Sequence, residues 1–253
     1  MSLAGSFLHE GVARAYRHRP PYPPALFDAL EALIVDRPRH VLDLGAGDGA
    51  IARPLAARVD KVDAVEISPA MVAEGRQRPG GDRANLTWHV EAAETVARQG
   101  PYALVTAGQC LHWMDWRPTL ERVKGVLTRH AMLALVDMRY HELPWRAELT
   151  EVIARYSRNP DYNPQFVLSD ELARQGLFDM HGTLETPPAE FRQTVDDYIE
   201  QFHSTASLAR ELMPPEEAAA FAADIVAVVN SHAREGELTM QTVVTLTWGK
   251  PRR

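Results

Sequence analysis

The stretch Val41-Leu42-Asp43-Leu44-Gly45-Ala46-Gly47-Asp48-Gly49, followed by Val65-Glu66-Ile67-Ser68-Pro69, decides the fold. A short apolar run led by a β-branched residue gives way to three glycines at alternate positions and then to a helical pattern. A strand turns in this way sharply into a helix beneath a bound nucleoside. Glu66 closes the next apolar run, where a carboxylate accepts hydrogen bonds from ribose hydroxyls.

Outward from this pair the chain alternates regularly. Strands are expected near 40–45, 61–67, 85–90, 102–107 and 131–137, and helices near 49–58, 69–77, 92–98 and 117–128, with an earlier amphipathic helix over 25–36. Short strands separated by helical segments imply right-handed crossovers and a parallel sheet with ligands beyond the carboxyl ends of its strands. The fold class is α/β: a doubly wound, Rossmann-like, mostly parallel seven-stranded sheet with an antiparallel edge strand and a cap insertion. Residues 1–137 read as the binding core with an N-terminal arm, and 138–213 as a substrate cap rich in aromatic residues, arginine and proline. Residues 214–253 read as a long helix and a closing antiparallel strand that complete the core.

Composition limits the partners. With 45% hydrophobic and 24% charged residues in 253, a globular chain with a substantial core is expected. The net charge of −7 argues against a broad nucleic-acid or anionic-membrane surface, so a small-molecule partner is expected, with no nucleic acid and no membrane. The single cysteine, Cys110, excludes an intrachain disulfide and a cysteine-rich metal framework, and favours a reducing, cytoplasmic setting. No metal-ligand spacing stands out among the ten histidines, so no metal is expected. The first ten residues lack the pattern of a secretory signal, and the apolar runs 131–136 and 218–230 fall short of the about 20 residues of a membrane span. Either a monomer or a homodimer is compatible with these features.

Charge in the loop narrows the nucleoside. Gly45, Gly47 and Ala50 satisfy the loose dinucleotide fingerprint of a nicotinamide oxidoreductase. A pyrophosphate at that helix N-terminus would however meet Asp48 and Asp43, whereas a cationic donor suits an acidic loop.

These segments resemble the class I S-adenosylmethionine-dependent methyltransferases. Residues 41–49 are similar to the first motif of that family and 65–71 to the segment after it. Val90-Glu91-Ala92-Ala93-Glu94 is similar to its adenine-edge motif. Tyr16-Arg17-His18-Arg19-Pro20-Pro21-Tyr22-Pro23 and Gln109-Cys110-Leu111-His112-Trp113 resemble the small-molecule branch that includes trans-aconitate methyltransferases, although Ala103 stands where that branch usually carries an acid. The resemblance implies S-adenosyl-L-methionine as cofactor, held by Tyr16, Arg19, Asp43, Gly45, Ala46, Gly47, Glu66, Ile67, Met71, Ala92, Ala93, Glu94 and Ala107. Ala92 stands where an acid or serine is common, which passes the exocyclic amino contact to Glu94 or to backbone.

Substrate candidates are Gln109, His112 and Trp113 after the fourth strand, with Tyr156 and Phe202 from the cap. His112 is either a general base or a donor that orients the acceptor. Arg139, Arg146, Arg155 and Arg158 suit an anionic substrate, and Tyr162, Phe166, Phe191 and Tyr198 an apolar one. Asp48 and Glu66 also leave room for a catalytically silent sensor or scaffold that binds the same cofactor without turnover. In-line methyl transfer to a small-molecule acceptor is the leading reading.

Overall fold

The computed structural model describes residues 3–95, 100–159, 163 and 166–252. In chain order the helices are α1 (Glu10–Ala15), α2 (Pro24–Ala32), α3 (Ala52–Leu55), α4 (Pro69–Gln77), α5 (Trp116–Val126), α6 (Arg146–Tyr156), α7 (Leu168–Arg174), α8 (Val195–Glu200) and α9 (Pro215–Val229). The strands are β1 (His40–Leu44), β2 (Lys61–Glu66), β3 (Leu86–Val90), β4 (Tyr102–Gly108), β5 (Leu127–His141), β6 (Phe178–Glu185), β7 (Ala189–Thr194) and β8 (Glu237–Pro251). The chain forms two compact units. The first comprises Met1–Pro21, Arg139–Asn163 and Pro188–Thr242, and the second Tyr22–Met138, Pro164–Pro187 and Val243–Arg253.

The second unit is built on the strand path β3-β2-β1-β4-β5-β8-β6 of an eight-stranded sheet, with β7 paired to β8 off that path; this is one strand more than the seven expected, and β6 lies in the segment expected as cap. β1 pairs in parallel with β2 and β4, β2 with β3, and β4 with β5. β6 pairs antiparallel with β8, so the sheet ends in an antiparallel edge pair. Strand alternation sends Val41, Ala64 and Leu104 to one face, where they pack with Leu26, Leu30 and Leu55. Leu42, Leu44 and Val105 go to the other face, with Leu120 and Val123 of α5. Both faces are covered, which is why β1, β2 and β4 read as nearly unbroken apolar runs. Each fully buried leucine among them contributes about 2 kcal/mol. Proline opens α2, and Ser68 with Pro69 opens α4, the serine hydroxyl accepting from the Met71 amide at 3.3 Å. The order reverses between β1 and β4, so the loop after β1 lies at the switch point where open α/β sheets bind ligands.

The first unit has an aromatic core. Phe221, Ile225 and Val229 line one stripe of α9 and pack with Tyr156, Tyr198 and Phe202. The ring of Phe221 meets Tyr156 edge-on at 5.4 Å and Phe202 at 5.9 Å. β7 pairs antiparallel with the first half of β8.

Five expectations change. α9 and 237–242 belong to the first unit instead of completing the core around the sheet, because the apolar stripe of α9 matches the aromatic residues of α6 and α8. Residues 164–187, expected in the cap, lie in the second unit, where Leu172, Leu177 and Phe178 join the sheet-side core. Residues 138–213, for which the pattern assigns no helix, hold the eleven-residue helix α6. Near 49–58 the helix shortens to the four residues of α3, since the glycine turn continues to Ile51. The short helix near 92–98 is a 3-10 turn over Ala93–Thr95, and 96–98 lie outside the described residues, as do Tyr162, Pro160 and Pro164.

Candidate functional site

Gly45, Gly47 and Gly49 adopt φ of 56°, 56° and 79°, the left-handed region that glycine enters without strain. Space demands glycine as well. A Cβ on Gly45 would stand 2.6 Å from the Cβ of Cys110, and one on Gly49 would stand 2.5 Å from the Trp88 ring. Cys110 braces the turn from the loop after β4, its thiol donating to the Leu44 carbonyl at 3.0 Å. Burial pushes that thiol well above its ordinary pKa, so Cys110 is a packed strut and not a nucleophile.

Glu66 ends β2 and is buried. Its Oε2 accepts from the Gly47 amide at 2.8 Å and its Oε1 from the Ser68 amide at 2.9 Å, so the acid and the glycine turn form one unit. Burial raises the Glu66 pKa, the Asp48 charge adds to the rise, and the amides of Ser68, Gly47 and Ile67 counter it. Ile67 beside it and Val90 at the end of β3, which stands in register with Glu66, are each 53% exposed. Both apolar side chains are thus left open at the ends of neighbouring strands. Val90 lies inside the quoted adenine-edge segment yet was not singled out; exposure at a strand end is a property its sequence context hides.

The two loop aspartates part company. Asp43 is 1% exposed and stands opposite Thr106 in the β1·β4 register. The Thr106 hydroxyl donates to Asp43 Oδ1 at 2.6 Å, and Oδ2 has no partner among the described residues. Burial pushes its pKa up to about 7, the Thr106 hydroxyl and the Ala52 amide working against the shift and the Glu66 charge with it. Asp48 is also buried, but its carboxylate pairs with Arg78 at 2.7 Å while Arg53 donates to its carbonyl at 3.0 Å. The expectation that Asp48 repels a pyrophosphate is therefore corrected: its charge is met by Arg78 at the end of α4. What disfavours a dinucleotide is that Glu66 already occupies the Gly47 amide and that α3 is only four residues long.

Ala46 and Ala107 are buried in the floor, Ala46 donating its amide to the Val65 carbonyl at 2.9 Å and Ala107 pairing with Leu44. Met71 is 1% exposed, so it supports the turn from within the core and its side chain is not on the crevice surface. Ala93 is buried and Ala92 half-buried in the turn after β3. Glu94 turns one oxygen to the Asp115 amide at 3.1 Å, which ties the start of α5 to this turn and commits part of a side chain expected to meet the base.

Gln109 has a φ of 49°, an unusual conformation for a residue with a side chain. Its amide donates to the Val136 carbonyl at 3.0 Å and its carboxamide to the Met138 carbonyl at 3.1 Å, which pins the end of β4 to β5. His112 is exposed and its ring lies 4.8 Å from that of Trp113. Gln109, His112 and Trp113 thus stay together just past the β4 end.

Tyr16, Arg19, Tyr156 and Phe202 belong to the first unit. Arg19 stacks over Tyr16 at 3.9 Å and donates to the Ser204 hydroxyl at 2.7 Å and carbonyl at 2.9 Å. Tyr156 and Phe202, expected to line an apolar substrate, are buried in the aromatic core, and Tyr156 donates to Asp224 at 2.8 Å. Three of the four cap arginines are engaged within that unit: Arg155 with Asp224, Arg158 with Glu217, and Arg146 with the Tyr140 carbonyl. Ser204 lies in a 3-10 turn and donates to the Gln201 carbonyl; it caps no helix.

Comparison with known proteins agrees with this geometry. Residues 41–130 match the family described as "Methyltransferase domain". An uncharacterized methyltransferase of Mycobacterium tuberculosis is 34% identical over 140 residues, 55% of this chain and 55% of its own length. A second from the same organism is 31% identical over 113 residues, 44% of this chain and 56% of its own length. The chain thus spans little more than half the length of the curated relatives it matches. The solved structure of a S-adenosylmethionine-dependent methyltransferase from Geobacter sulfurreducens, in complex with S-adenosyl-L-homocysteine, shares the fold with a TM-score of 0.56 at 18% identity, covering 95% of this chain and 96% of that one. A candidate type II methyltransferase from Anaeromyxobacter dehalogenans gives 0.64 at 23% identity, covering 92% and 97%. The likeness to these solved structures shows the fold, a Rossmann-like α/β sheet. Residues 41–130 are thus the part of the chain that is similar to a methyltransferase domain.

Among the described residues no helix is long and apolar enough to cross a membrane, and no cluster of side chains is arranged to hold a metal.

Proposed function

We propose that this chain transfers the methyl group of S-adenosylmethionine to a small-molecule acceptor. The observation that carries the reading is the Glu66 carboxylate, clamped by the Gly47 and Ser68 amides beside the exposed Ile67 and Val90. Each carboxylate oxygen keeps a lone pair beyond the one its amide uses, which suits two neighbouring ribose hydroxyls. Ile67 and Val90 suit the face of an adenine, and the turn around Ala92 and Ala93 suits its edge. The glycine turn leaves space that a Cβ would fill. Tyr16 and Arg19 are proposed for the methionine carboxylate.

When bound, the cofactor supplies a methyl group already activated by the sulfonium charge. The protein's share is to hold the acceptor in line and exclude water. Gln109 fixes the rim after β4, and Trp113 and His112 orient the acceptor, His112 serving either as base or as hydrogen-bond donor. The small-molecule branch and a cytoplasmic setting are part of the proposal, supported by the acidic charge balance and the single cysteine.

Titration calorimetry with S-adenosylmethionine and S-adenosylhomocysteine tests the cofactor. Glu66→Ala is expected to weaken both by more than tenfold, about 1.4 kcal/mol; no binding to the wild type, or unaltered binding in the variant, overturns the assignment. Labelled methyl transfer into a metabolite pool separates an enzyme from a silent sensor.

A further inference from the structure

The first unit contains a cavity of about 300 Å³ whose walls include Gly11, Arg17, His18, His203 and Glu211. That volume is at the small end for metabolite sites. We propose that it binds a small zwitterion of the α-amino-acid type, the carboxylate on Arg17 and the ammonium between Glu211 and His203. The proposal goes beyond the methyltransferase reading and does not rest on it.

The argument is one of unspent valences. Arg14 and Arg210 also reach the cavity, but Arg14 pairs with Glu10 at 3.2 Å and Arg210 with Glu200. His18 is satisfied on both nitrogens, Nδ1 against Asp197 at 2.9 Å and Nε2 accepting from Arg17 Nε at 3.2 Å. That leaves the two terminal amino groups of the Arg17 guanidinium and the Glu211 carboxylate, which form no ion pair among the described residues. One cationic and one anionic group facing the same space match a ligand that carries both charges.

His203 supplies a third point. It is 2% exposed, and its Nδ1 lies 2.8 Å from the Leu208 carbonyl. A carbonyl only accepts, so the proton sits on Nδ1, and Nε2 is a bare acceptor with no partner among the described residues. A buried acceptor without a donor is costly, and an N–H of an ammonium group satisfies it. Gly11 makes room for the Glu211 carboxylate: a Cβ there would lie 2.0 Å from Glu211 Oε1.

The test is calorimetry on the full chain without cofactor, with each protein amino acid, and then with the decarboxylated amine and the deaminated acid of the best binder. At least one amino acid is expected to bind, both analogues at least tenfold more weakly. Arg17→Gln and Glu211→Gln are each expected to lose tenfold or more, and Gly11→Ala to lose affinity by displacing the carboxylate, with thermal unfolding midpoints close to wild type in all three. The proposal is overturned if no amino acid binds, if either analogue binds as well as its parent, or if folded Arg17→Gln and Glu211→Gln proteins keep full affinity.

Discussion

In the second unit the polar groups of the site are held by main chain: the Glu66 carboxylate takes the amides of Gly47 and Ser68, 19 and 2 residues away. In the first unit three buried or half-buried polar contacts engage side chains far apart in sequence. Arg19 and Ser204 are 185 residues apart, Tyr140 and Gln201 61, and Trp145 and Tyr198 53. A main-chain site needs particular backbone conformations and so leaves glycines in the sequence. A side-chain site needs only ordinary residues brought together by packing, and leaves no local mark.

The contrast predicts different failures. Phe221→Ala removes the ring around which Tyr156, Phe202 and His203 pack edge-on in the first unit. It should cost about 4 kcal/mol of stability in urea unfolding. A loss under about 1 kcal/mol would mean that the aromatic residues do not act as a single core. Gly45→Ala places a methyl group at positive φ against Cys110 and should cost about 3 kcal/mol, with loss of S-adenosylmethionine binding in calorimetry. A stable Gly45→Ala protein with unaltered affinity would break the claim that the second unit's site is a property of its backbone.

The same contrast explains what could be read from sequence. The strands 40–45, 61–67 and 102–107 and the helix 69–77 are legible because Val41, Leu42, Leu44, Val62 and Val65 form apolar runs, each interrupted by one aspartate, between glycine or proline signals. The pairing of Gly47 with Glu66 was legible for the same reason. The partner of Asp43 was not, because a threonine in the middle of β4 looks like any strand threonine until register sets it opposite. Asp48 was misread as facing a ligand, since nothing local says that Arg78 turns back from the end of α4. Tyr156 and Phe202 were taken for substrate contacts because an aromatic residue looks alike in a pocket wall and in a core, and only the burial of α9 against them decides. The unit boundaries were misplaced because α9 is amphipathic in either location.

A pH-dependent effect concerns Asp43, where the strand that leads into the turn carries a buried carboxyl. Folding raises its pKa from 3.8 to about 7. Between about pH 4 and pH 7 the native state therefore retains a proton that the unfolded chain has released. Stability attributable to this group is fully present below pH 4, declines as pH rises, and is lost once pH passes about 7, with a slope of at most about 1.4 kcal/mol per pH unit. Glu66, also raised by burial, contributes in the same direction. Asp36 and Glu171, both held down to about 2 by their hydrogen-bond partners, act with the opposite sign at the acid end, and His203, lowered by burial, acts with the opposite sign inside the window, so the Asp43 contribution is read as the difference between wild type and variant. Asp43→Asn retains an oxygen for the Thr106 hydroxyl and removes the titration, so the decline between pH 4 and pH 7 should flatten in urea unfolding measured across that range. An identical slope in wild type and Asp43→Asn would assign the pH dependence to another group.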